Sequence, residues 1–159
     1  MQDSSSVDLS APRTVHAPER LIAGVRARYR MDNNQGIPAQ WAAFDALCPS
    51  IPAVHGEVFY GVCSDHGDGS FDYLAGVEVA NTAALPPGVD TVTLVAGDYA
   101  VFEHRGHIAD FQKTIHAIWT QQVPQRQIRL AQAPNFELYD ARFDPKTGLG
   151  TVEIWLPLA

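Results

Sequence analysis

A chain of 159 residues is enough for one domain, or for two small halves around a shared core. Its apolar share of 46% suits a globular protein, and a net charge of −7 with no Lys/Arg cluster argues against direct contact with nucleic-acid phosphates. No apolar run nears the roughly 20 residues that span a bilayer, Met1–Ser10 lacks the apolar core of a secretory signal, and the two cysteines, Cys48 and Cys63, form neither a disulfide framework nor a metal motif. A cytoplasmic protein with free thiols and no membrane contact is expected.

Residues 1–12, rich in Ser and Asp, have little to bury and are expected to form a mobile tail. Between Arg13 and Arg30 the pattern becomes alternating. Val25, Ala27 and Tyr29 share one face, and Arg26, Arg28 and Arg30 share the other, which predicts a strand with one solvated side. Asp32–Gly36 is a loop. Pro38 suits a first helical turn, Trp41, Phe44 and Cys48 form one helical stripe, and Pro49 and Pro52 end it. Glu57–Ser64 and Phe71–Val79 are predicted strands of a hairpin around the turn Asp65–Ser70. Leu85-Pro86-Pro87-Gly88 breaks the chain, so a linker is expected over 83–89, between halves at about 13–82 and 90–158.

The second half repeats the plan. One strand is expected over Thr91–Glu103, bent at Gly97-Asp98, followed by a turn at His104–His107. A helix follows from Ile108 to about Gln122, stopped by Pro124. Asn135–Phe143, a turn at Asp144–Gly148 and a last strand over Gly150–Leu158 close the chain. From Val152 to Leu158 every residue except Glu153 is apolar, which predicts a strand buried on both faces. Val152, Ile154 and Leu156 lie on one side; Glu153, Trp155 and Pro157 lie on the other. A carboxylate in such a setting costs several kcal/mol unless it is paired or protonated, so Glu153 is a candidate cavity residue.

Strand, helix, strand, strand thus occurs twice. Setting Phe71 against Thr151 makes Tyr73 the counterpart of Glu153. The expected fold is α+β: duplicated βαββ units about a pseudo-twofold, antiparallel sheets with two main helices behind, and a central cleft where Tyr73 and Glu153 face each other.

The residues Tyr99–Ile108, Thr114–Trp119, Ala133–Tyr139, Phe143–Gly148 and Val152–Pro157, with Phe71–Val79 in the first half, resemble the GyrI-like small-molecule-binding family, the effector-binding domain of many AraC-type and multidrug-sensing bacterial regulators. The resemblance covers about residues 14–158. It implies a cleft for amphipathic, cationic or aromatic molecules with a buried glutamate and supporting tyrosines. Carried over by position, these are Glu153 and Tyr73. The chain departs from the family pattern at Val123–Arg129. Some stand-alone members look like hydrolases of electrophilic cyclopropane compounds that use a tyrosine and a glutamate.

The expected ligand-binding set is therefore Glu153, Tyr73 and Trp155, with Tyr60, Phe102 and Trp119 behind them. Glu153 and Tyr73 would be catalytic only in a hydrolase. His104 and His107 beside Glu103 have loose His-x-x-His spacing without a third ligand, so a helix approach with His107 near the cap is expected, and neither metal nor cofactor. The leading expectation is a stand-alone binding or sequestering domain for a small molecule, with no helix-turn-helix attached. A hydrolase is the alternative, and a gyrase-inhibitor-like module with a protein partner or a homodimer is a third.

Overall fold

The computed structural model describes residues 11–159, so the expectation for the first ten residues lies outside the described part. The eight strands are β1 (Arg13–Ala17), β2 (Arg20–Arg30), β3 (Phe59–Asp65), β4 (Ser70–Val79), β5 (Asp90–Leu94), β6 (Gly97–His107), β7 (Asn135–Asp144) and β8 (Leu149–Pro157). They form one antiparallel sheet in the order β1-β6-β8-β7-β3-β4-β2-β5. Helix α1 (Ile37–Leu47) connects β2 to β3, and α2 (Phe111–Ala117) leads from β6 towards β7.

The two βαββ units meet where β3 pairs with β7, with Gly61 opposite Glu137. Each unit has an extra leading strand, and the two are exchanged. β1 leaves its own half to pair with β6, and β5 leaves the second half to pair with β2. The bend expected at Gly97-Asp98 is therefore a break between two strands: β5 forms one edge of the sheet, and β6 lies at the other end, next to the edge strand β1. His104–His107, expected as a turn, continues β6 and pairs with β8 as far as Leu149.

Alternation divides the sheet into two apolar faces. On the helix side, Phe44 of α1 packs against Ala23, Phe71, Tyr73, Ala75 and Val77. Phe111 and Ile118 of the second helical segment pack against Ala100, Phe102, Val152, Ile154 and Leu156. On the far side, residues from all eight strands, among them Ile22, Tyr60, Leu74, Leu94, Val101, Phe136 and Trp155, form one buried cluster. A cluster that no helix covers can be buried only because the sheet curls around it as a half-barrel. This explains why β8, inside the sheet, is apolar on both faces.

Buried polar residues fix the helices. Gln40 Nε2 donates to the carbonyls of Val25 (2.7 Å) and Tyr73 (2.6 Å), and its oxygen accepts from Tyr29 (2.7 Å). On the other helix, Thr114 Oγ1 lies 2.6 Å from His104 Nδ1, whose Nε2 meets the His107 carbonyl. His107 Nδ1 accepts from the amide of Ala109 and so caps the helical entry. The helical run passes Pro124 instead of stopping there. A π-turn at Ile118–Gln122 leads into a last turn at Val123–Gln125. The wider turn accommodates a residue that has no N–H to donate and whose ring crowds the preceding carbonyls.

Candidate functional site

The helices stand apart over the β3–β7 junction, and the gap between them is the central cleft. Its two lobes, of about 340 and 430 Å³, share Asn34, Ile37, Tyr73, Gln112 and Glu137. Phe71, Ile115 and Trp119 line the first lobe, and Trp41, Phe111 and Tyr139 the second. Trp119, 41% exposed, stands at the margin of the first lobe.

The acid on the cleft floor is Glu137. Strand alternation puts Asn135, Glu137 and Tyr139 on the helix side of β7 and sends Phe136 and Leu138 into the far cluster. Tyr73 donates to Glu137 Oε1 at 2.9 Å, and Tyr139 donates to the same oxygen at 2.8 Å. The Trp41 indole N–H donates to the Tyr73 hydroxyl at 3.2 Å. Among the described residues no cation pairs with Glu137. Burial pushes its pKa up to about 7 against the opposing pull of the two phenols. Burial, followed by the charge of Glu137, also pushes the Tyr73 phenol well above its usual range, so it remains a proton donor. Burial likewise raises the Cys63 thiol on the same floor.

This arrangement depends on a residue without a side chain. A Cβ at Gly61 would fall 2.7 Å from Glu137 Oε1 and closer still to the Tyr73 hydroxyl. β3 thus leaves the space in which the phenol and the carboxylate meet.

Glu153 lies elsewhere. It is buried, as expected, but on the far face of β8. Its carboxylate takes hydrogen bonds from Arg13 (2.6 Å), Arg142 (2.9 Å) and the Trp155 indole (2.9 Å). Burial alone would raise its pKa, but these partners outweigh burial and hold the group below the usual carboxylate range. The expected pairing of Tyr73 with Glu153 is therefore not formed. The repeat alignment that paired them is out of register, and a slip of one residue exchanges the faces of a strand. Val152 and Ile154 share Tyr73's face; Glu153 does not.

Of the other candidates, Tyr60 and Trp155 belong to the far cluster, where the Arg20 guanidinium lies over both rings and Phe136. Phe102 is core beneath α2. Only Tyr73 and Trp119 of the expected set line the cleft. Glu137, Tyr139 and Trp41 were not anticipated as site residues. For Glu137 and Tyr139 the signal was their same-face spacing in β7, in alternation with the apolar Phe136 and Leu138; for Trp41 it was its place on the apolar stripe of α1.

A curled sheet with two helices and an acid-floored aromatic cleft defines a small-molecule-binding domain, and comparison with known proteins gives the family. The chain belongs to the GyrI-like small molecule binding domain family, whose pattern matches residues 10–159. It is similar to the transcriptional regulator BrlR of Pseudomonas aeruginosa, with 32% identity over 103 residues, covering 64% of this chain and 38% of BrlR. In fold it matches SAV2435 bound to tetraphenylphosphonium (TM-score 0.75, 23% identity, 94% of each chain). It also matches a putative bacterial transcription regulation protein from Staphylococcus aureus MU50 (TM-score 0.66, 21% identity, 92% of this chain and 97% of that one). Among the described residues no helix is long and apolar enough to cross a membrane.

Proposed function

We propose that the cleft binds a lipophilic, aromatic cation, with Glu137 as its counter-charge and Trp41, Tyr73, Tyr139 and Trp119 as its walls. The observation that carries this reading is a carboxylate on an aromatic cleft floor with two phenols donating to it and, among the described residues, no cation of its own. A partly buried carboxylate in that position is an unfavourable charge until a cation arrives, and aromatic faces attract cations by about 1 kcal/mol or more each when water is excluded. The fold relative captured with tetraphenylphosphonium supports the choice of ligand class. The likeness to BrlR supports an effector-sensing role in gene regulation.

Calorimetric titration with tetraphenylphosphonium tests the reading. Wild type should bind one equivalent, and Glu137→Gln, with its fold verified by circular dichroism, should bind at least tenfold more weakly. Undiminished binding by Glu137→Gln would refute the assignment.

The same groups favour a second reading. Glu137 ionises near neutrality and Tyr73 stays protonated 2.9 Å away. A base and an acid of this kind could add water across an electrophilic cyclopropane, with Glu137 taking the proton of the water and Tyr73 supplying one to the opening carbon. Mass spectrometry of such a compound after incubation decides it, since a water adduct must appear with wild type and vanish with Tyr73→Phe.

A further inference from the structure

Beside the second lobe lies a groove of about 380 Å³ that the cation reading of the cleft does not use. Its walls include Trp41, Phe59, Tyr139 and Phe143, and it carries two carboxylates, Asp45 and Asp140. The aromatic wall is continuous. Trp41 meets Tyr139 edge-on with ring centres 5.6 Å apart, and Tyr139 meets Phe143 edge-on at 5.4 Å. Trp41, Ile108 and Tyr139 also line the second lobe, so one aromatic partition separates the two spaces.

The two carboxylates differ. Asp140 is neutralised by Arg142 through a bidentate pair at 2.9 and 3.0 Å. Asp45 projects from α1 one helical turn beyond Trp41, and among the described residues it makes no hydrogen bond or ion pair. An unpaired carboxylate beside an aromatic wall has the same chemistry as the floor of the cleft, in a more solvated form.

From this charge complementarity and from the shared wall we propose that the groove is a second subsite for a lipophilic cation, with Asp45 as its counter-charge, so that the domain takes elongated aromatic dications with one head at Glu137 and the other at Asp45. The proposal rests on the cation reading of the cleft. A dication spanning the partition gains the second contact without a second loss of translational freedom, which makes it tighter than either head alone.

The experiment is a calorimetric comparison of two probes of equal length. One is an alkylene bis(triphenylphosphonium); the other is an alkyl triphenylphosphonium that ends in a neutral triphenylmethyl group. Wild type should bind the dication, one per chain, about tenfold more tightly than the monocation. Asp45→Asn should reduce dication affinity about fivefold and leave the monocation within twofold, and Asp45→Lys should reduce dication affinity further. Asp45 is exposed, and unchanged melting temperatures will verify that these variants fold. Equal affinity for the two probes, or an Asp45→Asn that weakens both alike or neither, overturns the second subsite. If Glu137→Gln still weakens the monocation in that case, the cleft reading stands alone. If wild type binds neither probe, both readings fall together.

Discussion

Two glutamates on the β7–β8 hairpin, sixteen positions apart, occupy opposite faces of the sheet, and their environments have opposite effects. Glu153 lies between two guanidiniums and an indole N–H and is held ionised. Among the described residues Glu137 has only phenols as partners, and burial pushes its pKa up to about 7. Burial therefore does not identify a ligand-binding acid. What distinguishes the two is whether the chain has already supplied the counter-charge. Glu153 is satisfied and ties β1, β7 and β8 together; Glu137, without a cation among the described residues, is the acid we propose for a guest.

The largest expected effect is on stability. Removing Glu153 takes away the buried acid that joins Arg13 and Arg142, although both side chains are nearly half exposed and keep Glu103 and Asp140 as partners. Glu153→Ala should cost about 2–3 kcal/mol in chemical denaturation, less than a fully buried pair would. Cation binding by the folded fraction should be unchanged. Next, Gly61→Ala should cost about 2 kcal/mol of stability and weaken cation binding severalfold, because the new methyl meets the Tyr73 hydroxyl and the Glu137 carboxylate.

The comparison also predicts opposite pH trends. Because the folded-state pKa of Glu137 is raised, its contribution to stability is greatest at low pH and falls as pH rises from the ordinary carboxylate range through about 7. The folded-state pKa of Glu153 is lowered, so its contribution is present above the ordinary carboxylate range and lost as pH falls through the lowered value. Urea denaturation across pH should therefore show a decline towards neutrality that Glu137→Gln abolishes and an acid-side loss that Glu153→Gln abolishes. The smallest effect expected is that of Tyr139→Phe. It removes one of the two donors to Glu137 and should shift the pH midpoint of cation binding upward by under one unit.

Much of this was legible in the sequence. The doubled βαββ order, the buried last strand and the role of Tyr73 as a cleft residue follow from alternation, turn residues and family resemblance. The acid did not. Glu153 looked unpaired because one partner, Arg13, lies on a strand exchanged from the other half, and the other, Arg142, is presented by an irregularity in β7 between Tyr139 and Phe143. Alternation alone does not single out Glu137, because a polar residue on an alternating strand usually means a solvated face. Only the two helices, anchored to β2 and β4 by Gln40 and to β6 by Thr114, make that face the floor of a cleft. The exchange of β1 and β5 was likewise out of reach, because a local pattern shows that a strand exists and not which neighbour it pairs with.

The most direct measurement is the affinity for tetraphenylphosphonium between pH 5.5 and 8.5 in wild type, Glu137→Gln and Glu153→Gln. Wild type should gain about tenfold in affinity as Glu137 ionises through about pH 7. Glu153→Gln should follow the same curve, and Glu137→Gln should bind weakly with no pH dependence. Binding that vanishes in Glu153→Gln with the fold intact, while Glu137→Gln keeps the wild-type curve, would contradict the account.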